Sequence, residues 1–202
     1  MQPTNDFEQV LAFWFGPLDE QGRAAAAQSA RWWKKDPAFD AEVRATFGPQ
    51  HEAIVRGDCE HWLTTARGRL AYIVVLDQLS RNIFRGTAQA FSSDALAQEV
   101  AAEGVGLGMD RALAFDERSF FYMPFMHSEA VARQNRAVEL FTAWRDELTG
   151  EPHDRVAGLL RYAEQHRDII QRFGRFPHRN LVLNRTCTGE EIEFLKQPGS
   201  SF

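Results

Sequence analysis

Apolar positions recur at three- and four-residue steps along almost the whole chain, the period of helices buried on one face. Residues 6–15 predict an opening helix with Val10, Leu11, Trp14 and Phe15 on one side, a capping box from Asn5 to Glu8, and an end at Gly16-Pro17. Gly22 to Ala30 is small and weakly patterned, and is expected as a mobile loop or a poorly formed helix. Arg31-Trp32-Trp33 is expected to open a buried segment. Asp36-Pro37 starts the next helix, a capping acid followed by proline in the first turn. Phe39, Val43 and Phe47 follow at four-residue steps, with a stop or bend at Gly48-Pro49 and a resumption from Ile54 to Gly57. Ser92, Ser93 and Asp94 cap a helix that runs through Leu107. Pro124 splits or kinks the stretch 117–148, Ser128 caps its second part, and Val131, Asn135, Val138, Phe141 and Trp144 fall at helical spacing. Residues 153–173 predict a long amphipathic helix faced by Val156, Leu159, Leu160, Ala163, Ile170 and Phe173. Thr188 with Glu191 predicts a capping box for a last short helix, and residues 197–202 read as a frayed tail. YIVVL and LVL are too short, and too closely flanked by helical signals, to read as strands. The expected fold class is therefore all-α: one domain, residues 1–202, of antiparallel helix pairs.

Two stretches break the pattern. Within residues 67–85 the apolar positions cover nearly every side, which predicts a buried helix. One arc is nevertheless polar: Asp77, Arg81 and Arg85 fall at four-residue steps, with Gln78 and Asn82 alongside. Buried polar groups must be satisfied, so the arc is either an internal Asp–Arg pair or the wall of a pocket. The second stretch is an elbow, Arg172 to Asn180, with three arginines, His178 and an amide spaced by Phe173 and Phe176. Gly174 and Pro177 force the backbone to turn there.

Composition narrows the function classes. The chain has 202 residues, 44% of them hydrophobic, and a net charge of −5, which argues against a general nucleic-acid binder. No apolar run is long enough for a membrane span, and the N-terminal residues lack the pattern of a signal peptide, so a cytoplasmic protein is expected. Cys59 and Cys187 are too few for a disulfide framework or a cysteine-built zinc site. His51, His61 and Cys59 match no metal spacing and are expected in surface or capping roles. The GVGLG run at 104–108 lacks the lysine and the preceding strand of a phosphate loop, and reads as a helix end and turn. Arginine outnumbers lysine twenty to three, as a GC-rich genome or an anion-binding surface would produce.

LDQLSRNIFRG near 75–86, FFYMPFMHSE at 120–129 and HRDIIQRFGRFPHRN at 166–180 resemble the bacterial and fungal family labelled domain of unknown function nine-two-four. The resemblance extends from the FWFG of Phe13–Gly16 to TGEEIEFL, within residues 6–196. It implies an all-helical fold of the tetratricopeptide-like superfamily and no established activity. The family pattern carries glycine and serine where this chain has Asn184 and Cys187, which argues against Cys187 as a nucleophile.

The motif residues support three readings. In the first, Asp77, Gln78, Arg81, Asn82, Arg85, His166, Arg175, Arg179 and Asn180 bind a small anion, a carboxylate or a phosphate. His127, Glu129 and His178 would then carry any acid–base step. In the second, the arginines clamp an acidic peptide and there is no chemistry. In the third, the Asp–Arg–His motifs are a packing network. A two-histidine, one-carboxylate metal site ranks lower, because neighbouring arginines repel a cation. No cofactor, nucleic-acid partner or membrane partner is expected, and the oligomeric state is left open.

Overall fold

A computed structural model describes residues 7–201. The chain is all-α. Its helices are α1 (Phe7–Phe15), α2 (Ala26–Trp33), α3 (Pro37–Val55), α4 (Ala66–Ile73), α5 (Ser80–Ile83), α6 (Asp94–Gly106), α7 (Phe115–Met126), α8 (Val131–Asp146), α9 (Gly150–Phe173) and α10 (Gly189–Leu195). Among the described residues no strand forms, and one isolated bridge pairs Leu18 with Ala24. The expected cap at Asn5 lies outside the described residues. The chain clusters into two compact units, one of residues up to Arg85 with Gln89–Pro124, the other of Gly86–Ala88 with Phe125–Phe202.

In the first unit, α4 packs against α1 and α6, and α5 packs against α3. Val10, Leu11, Trp14 and Phe15 are all buried, as the period requires. The carbonyls at the end of α1 find their donors on α2: Gln28 Nε2 reaches Phe13 and Trp14 at 2.8 and 2.7 Å, and Trp32 Nε1 reaches Trp14 at 2.8 Å. Such carbonyls have no partner within their own helix, so α2 forms as a cap for α1 despite its weak pattern. The loop before it is tied down as well, by Gly22 O to Asp116 N at 3.0 Å and Ala24 N to Asp116 Oδ2 at 2.8 Å. Trp33 departs from expectation: the residue is 65% exposed instead of buried.

Both internal prolines are carried inside helices. Pro49 lies within α3 and Pro124 within α7, so neither splits its helix. A proline removes one backbone donor, and here the surrounding turns are held by burial: Phe47, His51 and Ile54 around Pro49, and Phe120 to Met126 around Pro124. His51 is thus buried, not at the surface. Ser93 does not cap α6 through its side chain; its hydroxyl is buried and donates to Leu76 O at 2.9 Å.

The helix from α4 to α5 is interrupted by a π-helical segment, Val74–Leu79. There the Ser80 amide reaches back five residues to Val75 O. Every residue of the segment is buried, Asp77 and Gln78 included. Such bulges are frequent at functional sites.

In the second unit, α8 and α9 pack along each other as a helical hairpin, the most extensive helix–helix contact in the chain. The buried face of α8 is Gln134, Ala137, Leu140, Phe141 and Trp144, one step round from the expected stripe, while Val131 and Asn135 are exposed. Val156, Leu160, Ala163, His166, Ile169 and Ile170 line the buried face of α9. Ser128 accepts from Ala130 N at 3.2 Å, and Ala130 occupies the cap of α8. In the tail, Ser200 is buried and donates to Leu195 O at 3.2 Å.

Candidate functional site

In the first unit the polar arc divides into two ion-pair groups. Arg81 meets the Asp77 carboxylate at 3.4 Å, donates to the Asp77 carbonyl, and forks onto Asp94 at 3.0 and 3.2 Å. Gln78 Nε2 donates to Asp77 and reaches the sulfur of Met123 at 3.6 Å. Burial alone would lower the affinity of Arg81 for its proton, but Asp77 and Asp94 outweigh it and raise its pKa. Arg85 turns elsewhere. α5 ends at Ile83, and Arg85 forks onto Asp40 of α3 at 2.5 and 2.9 Å, while Asn82 Nδ2 donates to the same carboxylate at 2.7 Å. Burial disfavours the Asp40 charge, yet the donors from Arg85 and Asn82 hold its pKa below the ordinary value.

In the second unit the elbow is built from the end of α9. Gly174 adopts the left-handed conformation at φ 69° and returns its amide to Ile170 O at 2.8 Å. Pro177–Arg179 then makes a tight 3₁₀ turn. Glu129, from the loop before α8, accepts the Phe176 amide at 2.8 Å and a two-pronged clamp from Arg185 at 2.7 and 3.0 Å. Burial would raise the Glu129 pKa, but the Arg185 and Phe176 donors lower it below the ordinary glutamate value. Arg185 also holds Asn180 Oδ1 at 2.9 Å and Phe176 O at 3.1 Å. Asn180 in turn donates to Cys187 Sγ at 3.4 Å.

Arg175 turns to the start of α10. It forks onto Glu191 at 2.6 and 2.8 Å and donates to Thr186 O at 2.9 Å. Glu191 closes the capping box of α10 with Thr188, as the sequence predicts. Chiefly through the Arg175 bonds, the Glu191 pKa falls to about 2.

His166 and His178 flank Phe176, and His127 lies beside His166. The His127 and His166 ring centroids are 6.1 Å apart, His166 lies 5.7 Å from Phe176, and His178 lies 5.5 Å from it. The Arg179 guanidinium sits 4.5 Å over the same ring and donates to His127 O at 3.0 Å. His166 Nδ1 donates to Tyr162 O at 2.7 Å, which fixes the tautomer with Nε2 as the acceptor. Burial first, then the nearby His127, push the His166 pKa down to about 3, so it is neutral at pH 7. The loop carrying His127 and Glu129 is pinned by Gln134, which is fully buried and donates to Met126 O and Ser128 O, both at 2.6 Å.

Sequence reasoning missed Arg185, Asp40, Asp94 and Gln134. Arg185 stands alone in LNRT with no local periodicity, so no sequence signal marks it. Asp94 was legible as a helix start but not as an ion-pair partner. Among the described residues no group of three or more His, Cys, Asp or Glu side chains is placed to hold a metal ion, and no helix is long and apolar enough to cross a membrane. A groove of about 320 Å³ opens beside the elbow, lined by Arg172, Phe173, Arg175, Thr188, Glu190 and Glu191.

These features define an all-α protein in which Arg81, Arg85, Arg175 and Arg185 are each tied to a carboxylate of the same chain. The chain belongs to the family described as bacterial proteins of unknown function, DUF924, whose model matches residues 10–199. It is similar to the solved structure of a protein of unknown function, ATU0120, from Agrobacterium tumefaciens: 39% identity, a TM-score of 0.79, with 94% of this chain and 96% of that chain covered. No curated protein matches it.

Proposed function

We propose that the protein is a helical peptide- or protein-binding module, not an enzyme, whose Asp–Arg and Glu–Arg motifs chiefly hold its helices in place. One observation carries this reading. Arg81, Arg85, Arg175 and Arg185 each present their fork to a carboxylate of the same chain. That is the geometry a ligand carboxylate or phosphate would need, and it is already occupied. A ligand would have to displace a partly buried partner and leave it without its charge. Glu129 is held in the same way, so it is poorly suited to take or give a proton.

The test is a thermal-shift screen of the whole protein against inorganic phosphate, nucleotides, sugar phosphates and dicarboxylates, with Arg81→Ala and Arg185→Ala in parallel. The module reading expects no saturable shift with these anions and a lower melting temperature in both variants. A second reading, a small-anion site narrowed to His127, His166, His178 and Arg179, is favoured by the convergence of the His166 and His178 rings and the Arg179 guanidinium on Phe176, with the His127 ring beside His166. It expects an anion at about a hundred times its dissociation constant to add roughly 2.7 kcal/mol of stability. A shift of that kind, lost in His178→Ala or Arg179→Ala, would replace the module reading with this one.

A further inference from the structure

Among the α-helices of the first unit, α2 alone has no buried residue. It spans eight residues, too few for a helix to hold itself in water, and its N-cap, Ala25, provides no side-chain acceptor. What it covers is buried: Trp14, Phe15 and Phe120, against which the Trp32 ring lies, are each 1% exposed. We propose that α2 is a strap, which lifts as one unit between fixed points at Ala24 and Asp36 while the rest of the first unit stays folded. Lifting uncovers the rings of Trp14, Phe15 and Phe120 and the last carbonyls of α1. The strap stands on the geometry of the first unit alone and does not depend on the module reading.

Both ends are anchored by bonds outside α2. Upstream, Gly22 O accepts from Asp116 N at 3.0 Å, and Ala24 N donates to Asp116 Oδ2 at 2.8 Å. Gly22 has a left-handed φ of 77° and lies so close to α7 that a Cβ would meet Phe115 N at 2.7 Å. Downstream, Asp36 accepts the Ala38 and Phe39 amides at 3.0 and 3.4 Å, and Pro37 opens α3. None of these contacts runs through α2, so they survive when it lifts and keep the opening local.

The hold on α2 itself is slight. It consists of the Gln28 and Trp32 bonds to the carbonyls of Phe13 and Trp14, and of the Trp32 ring, 4.8 Å from Phe120, 5.8 Å from Phe15 and 6.3 Å from Trp14. Arg31 adds a stack 4.2 Å over Phe39 and a 3.1 Å pair with Glu42, both of whose side chains are at the surface, where such a pair contributes little. Toward α3 the contact is incomplete: a cavity of about 220 Å³ separates Ala27, Ala30, Arg31 and Lys34 from Asp36 and Phe39. A seam of that size forfeits the dispersion contacts that close packing would supply. When α2 lifts, water can take over the carbonyls of α1. Elements with few buried apolar contacts are the ones that open far more readily than the whole molecule unfolds.

Native-state hydrogen exchange of the full chain, followed by NMR as urea is raised, tests the strap. The amides bonded inside α2, from Ser29 to Trp33, should share one opening. Their protection should lie at least about a hundredfold below that of α1 and α4 and change little with urea, because little surface is exposed. Ala25→Ser, at an exposed position, supplies the missing cap and should raise protection in α2 about fivefold while α1 and α4 keep theirs. Trp32→Ala removes the ring that holds the strap down and should lower it at least about tenfold. Melting temperatures check that both variants fold, and Ala25→Ser carries the test on its own. Exchange in α2 that matches α1 and α4 in protection and urea slope would overturn the strap, since α2 would then open only with the whole unit. An Ala25→Ser effect spread equally over α1 and α4, or absent from α2, would overturn it as well.

Discussion

Asn184 lies at φ 52°, the left-handed region that costs most side chains about 1–2 kcal/mol and that asparagine tolerates better than others. No other non-glycine residue among those described has a positive φ. Asn184→Gly should leave stability unchanged or raise it slightly, whereas Asn184→Val should lower it by about 1–2 kcal/mol in urea melts. Gly104 is constrained in a different way. Its backbone is ordinary helix, but a Cβ would meet Arg69 Cδ and Phe121 Cζ at 2.5 Å. Arg69 is itself fixed there, donating to Val100 O at 2.9 Å and Leu63 O at 3.1 Å. Gly104→Ala should therefore cost about 1–3 kcal/mol, as overpacking does. Gly106→Ala, with nothing within 4 Å, should be neutral or mildly stabilising. Equal effects at the two glycines would show that helix propensity, not close packing, governs the GVGLG run.

Helices in this chain were legible wherever an apolar stripe and a local end signal agree. α1, α9, the start of α3 at Asp36-Pro37 and the capping box of α10 follow directly from spacing. What escaped the sequence depends on contacts between distant elements. The π segment lies in a helix buried on all sides, so the added residue shifts no visible stripe. Prolines 49 and 124 look like breaks because the cost of one lost hydrogen bond is local, while the burial that offsets it is tertiary. The candidate site was half legible: Glu129, Asn180 and the histidines were read from the motifs, but Arg185, which ties Glu129 to Phe176 and Asn180, is set by a pairing 56 residues apart. This clamp is where the elements of the second unit are coupled. Arg185→Ala should destabilise by about 2–3 kcal/mol, since Glu129 keeps only its bond from Phe176. A Glu129→Ala/Arg185→Ala cycle should show a coupling of about 1–3 kcal/mol. Strict additivity would mean that the pair does not hold the elbow.

At the scale of the whole molecule, the buried titratable groups set how stability responds to acid. In the unfolded chain His166 binds its proton near its ordinary value of 6.5, and in the folded protein only near about 3. Between those values the unfolded state holds more protons, so the contribution of His166 is complete above pH 6.5 and is lost progressively as pH falls toward 3. His51, whose pKa burial also lowers, acts in the same direction. Asp40, Glu129 and Glu191 have folded pKa values below their ordinary ones, so their contributions fade only below the ordinary carboxylate range near 4. The window between about pH 6.5 and pH 4.5 therefore belongs to the histidines. Urea melts there should show stability falling with acidification, by up to about 1.4 kcal/mol per pH unit for each fully titrating histidine. His166→Gln should remove most of that slope and His51→Gln/His166→Gln nearly all of it, while the steeper loss below pH 4 persists in both. A wild-type stability that stays flat from pH 6.5 to 4.5 would mean that His166 takes up its proton in the folded protein as readily as in the unfolded chain, and that its burial beside His127 does not keep it neutral.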